Sequence, residues 1–212
     1  MTQLLTIPKS AKQIIFQDVP GSHTITLEES AELQYVLSFK NSNPEEKSII
    51  TFKLNGDHAR VNIIGLFAGK NSDTVKFETQ TIHNANNTYG HAQIKTMLKD
   101  KSTSDYFGLI RIEKHTHESD GHLSHDTMLL SKQAKSKSVP ALEIEANDVK
   151  AGHSASVGQV DEETIFYLCS RGLSEEQARE LMIEGFFESL LEQINDDKIA
   201  TKVRESLQAT LL

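Results

Sequence analysis

"TVKFETQTIH", residues 74 to 83, sets Val75 and Phe77 against Thr74, Lys76 and Glu78 and continues in β-branched threonines to Ile82. A period of two with Val, Phe, Thr and Ile content is the signature of a β-strand with one face buried. The same pattern recurs upstream in "TITLEE" (24–29), "LQYVLSFK" (33–40), "IITFKLNG" (49–56) and "ARVNIIGLFAG" (59–69). Downstream it recurs in "AQIKTMLKD" (92–100), "FGLIRIEK" (107–114), "TMLLSK" (127–132) and "ALEIEA" (141–146). Between these runs lie "KNSNPEEKS" (40–48), "LNGDH" (54–58), "AGKNSD" (68–73), "HNANNTYGH" (83–91) and "KDKSTSD" (99–105). Such segments turn the chain because Gly and Asn accept positive φ while Asp and Ser bond their own backbone. No helical pattern interrupts the series, so the body is all-β: a sandwich, a barrel or a stacked β-helix. Periodicity does not choose among the three.

The pattern changes at Asp161. In "DEETIFYLCSRG" (161–172), Ile165, Leu168 and Cys169 share a helical face, Asp161 caps the N-terminus and Gly172 suits the residue after the C-cap. Ser174 and Gln177 stand at capping-box spacing before a second helix through Ala178, Leu181, Met182, Phe186 and Ile194. A third starts at Asp196 or Asp197 and carries Ile199, Val203 and Leu207 about one turn apart. The sequence divides into a lead segment (1–22), a β core (23–160) and a helical tail (161–212).

Composition bounds the function. A chain of 212 residues with 37% hydrophobic and 25% charged residues has room for one main core. A net charge of -8 argues against general nucleic-acid binding, which needs Lys and Arg against phosphates. The start of the chain lacks a secretory pattern, and the single Cys169 fits a reducing compartment, so a cytoplasmic, non-membrane location is expected. There is no G-x-x-x-x-G-K-[ST] phosphate loop and no G-x-S-x-G elbow, so neither ATP hydrolysis nor acyl transfer is expected of this chain.

Three blocks in order carry a family likeness. They are "PALEIEANDVK" (140–150), "HSASVGQVDEETIFYLCSRGL" (153–173) and "ARELMIEGF" (178–186), supported by "YFGLIRI" (106–112) and "TMLLSK". Together they resemble the C-terminal core of the SufB/SufD family, scaffolds of iron–sulfur cluster assembly, with "VGQVDEE" (157–163) nearer the SufD branch. The resemblance implies a right-handed parallel β-helix followed by a small α-helical domain, without the family's N-terminal helical extension. It implies a non-catalytic scaffold that pairs with a SufB-like paralogue or with itself and docks a SufC-like ATPase. It further implies a transient iron–sulfur cluster at the interface rather than a resident cofactor.

His153 matches the family's histidine near the subunit contact, and a neutral imidazole is a competent iron ligand. Where the SufD pattern carries a cysteine two residues earlier, this chain has Ala151, so sulfur ligands are expected from the partner. By the resemblance His125 falls near a position where SufB carries a cysteine and is the expected helper and second metal ligand. It belongs to a run of His115, His117, His122 and His125. Phe186 and Phe187, with Leu181 and Met182, are the expected ATPase-docking residues, since aromatics anchor interfaces. Cys169, on an apolar helix face, reads as a small hydrophobe. A plain β-helix binding module without cluster chemistry is one alternative, and the one from another class is a cupin-like metal site resting on His115, His117 and Glu118. Its spacing is wrong, because adjacent residues of a strand face opposite sides.

Overall fold

The structure, a computed structural model, describes residues 2–41 and 45–211. Among the described residues twelve strands precede three helices. The strands are β1 (Gln3–Ile7), β2 (Lys12–Gln17), β3 (His23–Leu27), β4 (Glu32–Leu37), β5 (Ser48–Leu54) and β6 (Arg60–Gly69), then β7 (Thr74–His83), β8 (Tyr89–Leu98), β9 (Thr103–Ile112), β10 (Ser119–Leu129), β11 (Lys135–Ile144) and β12 (Val149–Gln159). The helices are α1 (Glu162–Ser170), α2 (Glu175–Leu191) and α3 (Asp197–Leu211). Odd-numbered strands form one six-stranded sheet and even-numbered strands the other, in the orders β1-β3-β5-β7-β9-β11 and β12-β10-β8-β6-β4-β2. Every pairing between these strands is parallel. The chain thus winds as a β-solenoid of about five turns, the β-helix among the three all-β options. The solenoid begins inside the segment read as a lead, since β1 and β2 each pair into a sheet. Of the turn expected at 40–48, residues 42–44 lie outside the described residues.

Strict alternation decides which side chains enter the bore. In β7, Val75, Phe77, Thr79, Thr81 and His83 are buried and their neighbours are only partly so. Inside, Phe39, Phe67, Phe77 and Tyr106 stack from coil to coil with ring centroids 4.4 to 6.1 Å apart, the spacing at which aromatic pairs attract. β6 departs from alternation because its C-terminal half is buried on both faces. Val36, Ile64, Leu66, Ala68 and Met97 on the outer face of the even sheet pack against Ile183, Phe187, Leu190, Leu191, Val203 and Leu207 of α2 and α3.

The corners repeat as well. Ser10, Ser30, His58, Asn87 and Glu118 all hold φ of 54 to 62°. Each donates its backbone N–H to a carbonyl one coil further on, at 2.7 to 3.1 Å: Glu29, Asp57, Asn86, His117 and Asp148 in turn. The left-handed conformation costs a non-glycine residue about 1–2 kcal/mol. A hydrogen bond contributing about 1 kcal/mol offsets much of that, which is why serine, histidine and glutamate serve here.

The tail follows its sequence signals closely. The Asp161 side chain accepts from the Glu163 N–H, Ser174 and Gln177 form a reciprocal capping box, and Gly172 sits at φ 101°. The Asp196 carboxylate accepts from the N–H groups of Lys198 and Ile199. Among the described residues no helix is long and apolar enough to cross a membrane.

Candidate functional site

The register of the even sheet separates histidines that the sequence groups together. Leu123 pairs with His153 and His125 with Ala155. All four positions point toward the bore, whereas His122, which pairs with His91 on β8 and Gly152 on β12, points outward. His125 is fully buried. Its Nδ1 lies 2.8 Å from Ser138 Oγ, and its Nε2 lies 3.0 and 3.2 Å from the hydroxyls of Thr96 and Thr127. Both ring nitrogens are therefore engaged inside the solenoid, where the expected metal-ligand role would require those bonds to break. His115, 3.1 Å from the Asn84 carbonyl, and His117 are exposed on a corner. The run 115–125 spans three environments, so it makes no single metal cluster.

A second buried imidazole, His83, lies inside the coils. Its Nδ1 is 2.8 Å from Thr88 Oγ1, and its Nε2 has no hydrogen-bond partner. Burial pushes the pKa of His83 down to about 4, against a smaller opposing pull from Asp120, and burial pushes His125 down to about 4 as well. An unfolded histidine titrates near 6.5. Between about pH 6.5 and 4 the unfolded chain therefore binds protons that these folded rings refuse, and stability falls as pH falls. The slope is at most about 1.4 kcal/mol per pH unit for each ring. Denaturation midpoints measured across this window should decline steadily with acid, and His125→Gln should remove one ring's share. An unchanged slope in that variant would show that His125 titrates normally in the fold.

His153 lies in the middle of β12, and β12 is itself the end of its sheet. The ring is exposed, as is Ala151 on the same inward-facing row. β11 ends the other sheet at the same end of the solenoid. Together β11 and β12 leave two adjacent edges without partners among the described residues. Pro140 in β11 has no N–H to offer an incoming strand.

The tail divides the expected docking residues. Phe187 is 2% exposed and fills the seam between α2 and the even sheet, so its ring belongs to the core. Phe186 is half-buried beside it, with the Lys95 ammonium 5.1 Å from its ring centroid, and Met182 is half-buried too. Leu181 remains outside at 50% exposed, and α1 adds Phe166 at 76% and Tyr167 at 54%. Helical periodicity marked an apolar face on α2 but did not identify which large residues the sheet would cover. Cys169 is half-buried.

One further constellation escaped the sequence reading. On the outer face of the even sheet, clear of the helices, His91 Nε2 and His122 Nδ1 lie 3.0 and 2.8 Å from the same oxygen, Asp120 Oδ1. The signal was present: "YGH" (89–91) and "DGH" (120–122) are register partners one coil apart. It becomes visible only when the coil length is known.

The family description "SUF system FeS cluster assembly, SufBD core domain" matches residues 47–186. The iron–sulfur cluster assembly protein SufD of Escherichia coli (strain K12) is 32% identical over 151 residues, covering 71% of this chain and 36% of that protein. SufD of Bacillus subtilis (strain 168) is 30% identical over 164 residues, covering 77% of this chain and 37% of that protein. A SufBD family protein of Pyrococcus horikoshii is 39% identical over 100 residues, covering 47% of this chain and 22% of that protein. These matches cover between 22% and 37% of the three relatives' own lengths. The match to the core domain takes in most of the solenoid, α1 and the first part of α2. This chain belongs to the SufBD family of the SUF iron–sulfur cluster assembly system.

Proposed function

We propose that this chain is a non-catalytic, cytoplasmic scaffold subunit of a SUF-type complex. It pairs through β11 and β12 with a SufB-like paralogue or a second copy, and holds a nascent iron–sulfur cluster near His153 at that junction. The observation that carries the reading is the open end of the solenoid. Two adjacent edge strands present unpaired backbone groups there, a ready template for another chain. His153 stands on that edge, exposed, with an imidazole suited to iron. With Ala151 in place of a thiol, the partner supplies the sulfur ligands. A SufC-like ATPase docks on the exposed apolar residues Phe166, Tyr167 and Leu181 of α1 and α2.

Reconstitution with a SufB-like subunit, a SufC-like ATPase, ferrous iron and sulfide tests both contacts. His153→Ala is expected to leave the melting temperature and ATPase binding unchanged while cluster absorbance falls at least tenfold. Phe166→Ala combined with Leu181→Ala is expected to weaken ATPase binding at least tenfold and leave subunit pairing intact. Full cluster formation by the first variant makes His153 a structural residue. Unchanged ATPase affinity in the second removes the docking surface.

A further inference from the structure

We propose that His91, Asp120 and His122 bind one divalent first-row transition-metal ion on the outer face of the even sheet, a site separate from the edge that carries His153. The three donor atoms, one from each side chain, all lie within 4.8 Å of one another. Around an ion held at the 2.0–2.1 Å typical of imidazole ligands, tetrahedral donors are about 3.3 Å apart. The two histidine–Asp120 separations, 2.8 and 3.0 Å, fall a little short of that, and all three donors stay within 4.8 Å of one another, so small side-chain rotations open the site. Two imidazoles and one carboxylate form a donor set for zinc or ferrous iron, and three protein ligands leave a position for water.

The surroundings are those of a supported ligand set and not of a chance surface pair. The Tyr89 hydroxyl lies 2.7 Å from His91 Nδ1, with its ring stacked on the imidazole at 3.9 Å. When His91 Nδ1 carries the proton and donates it to that oxygen, the Nε2 lone pair is turned toward Asp120. Metal-binding histidines are usually oriented in this way. The Arg60 guanidinium lies over the Tyr89 ring, 4.8 Å from its centroid, and helps hold the phenol in place. On β12 the register position beside His122 is Gly152, where a Cβ would stand 3.1 Å from the His122 ring. The absent side chain leaves the imidazole room to lean toward Asp120. Lys150, next to Asp120 in register, is exposed and opposes the ion only through solvent.

The intact chain, dialysed against chelator, should bind one equivalent of zinc at micromolar or tighter dissociation constant, and ferrous iron under anaerobic conditions at the same site. X-ray absorption of the zinc form should show two imidazole nitrogens and oxygen in the first shell. His91→Ala, His122→Ala and Asp120→Asn are each expected to weaken binding at least tenfold with an unaltered melting curve. His115→Ala with His117→Ala, and His153→Ala, should bind as the parent does. Absence of binding tighter than millimolar overturns the proposal, as does affinity that follows the corner histidines or His153 instead. Because the readout is metal affinity of the isolated chain, the result does not depend on cluster assembly or pairing.

Discussion

Gly56→Ala is expected to destabilise the chain by more than about 4 kcal/mol, or to prevent folding altogether, as read from urea denaturation. A Cβ at position 56 would lie 1.9 Å from the Glu29 amide nitrogen, 2.3 Å from the Glu28 carbonyl carbon and 2.4 Å from the Glu29 Cα. All three atoms are backbone of the preceding coil, so no rotamer change relieves the clash. The Gly56 N–H donates to the Leu27 carbonyl at 3.1 Å, and its own carbonyl accepts from Ala59 at 3.2 Å. Moving the corner would break both bonds and pull on β5 and β6. Losses above about 4–5 kcal/mol are exceptional for single substitutions, and small domains have only about 5–15 kcal/mol in total. Gly158→Ala is the control, because a Cβ there meets nothing within 4 Å. It should be neutral or stabilising by a few tenths of a kcal/mol. Equal stability of the two variants would mean that the coils do not close as described.

Ala155→Lys combined with Val157→Lys should weaken pairing of this chain at least a hundredfold, with little change in its own stability. Both residues lie on the inward-facing row of β12, in register with the buried His125 and Thr127. A second solenoid joined at this end would bury them as its neighbours within the coils are buried. Two ammonium groups facing the bore would then be stranded without partners, and inward-pointing charges are a device by which natural sheets block edge pairing. In the single chain both side chains are exposed, with Val157 at 48%, so unfolding free energy should move by no more than about 0.5 kcal/mol. Sedimentation across a concentration series, alone and with a SufB-like partner, reads the association directly. Undiminished association would place the junction elsewhere on the molecule.

Strands and helix caps were legible in the sequence because they are local. The alternation of 74–83 and the capping box of Ser174 and Gln177 each lie within a single element. The coil was not legible. Register carries Arg60 to Tyr89, Asp120 and Lys150, unequal steps of roughly 30 residues, because corners absorb different numbers of residues. Without that period His91 stands far from Asp120 and His122 in sequence. The row inside the bore and the row outside it also cannot be told apart. "DGH" (120–122) and "AGH" (151–153) look alike, yet His122 registers with Gly152 and His153 with Leu123, so one residue of offset puts the two rings on opposite faces. The first strands were missed for another reason. "QLLTI" and "KQIIFQ" are short and largely exposed, so their pattern is weak. The burial of Phe187 was not legible because the sheet face that covers it lies roughly 90 to 150 residues earlier in the chain, a distance over which local patterns carry no information.

The apolar outer face of the even sheet has a consequence for the order in which the protein is made. Val36, Ile64, Leu66 and Met97 are covered by α2 and α3, whose first contributing residue is Ile183. A ribosome adding about 5–20 residues per second needs on the order of 5–20 s to pass from Met97 to Ile183. During that interval a finished stack of coils carries a bare greasy flank with nothing of its own to lay on it. Nascent chains in the same polysome carry identical flanks, so the emerging protein is at its most adhesive shortly before it is complete, and a chaperone that holds the flank until the helices emerge would raise the yield.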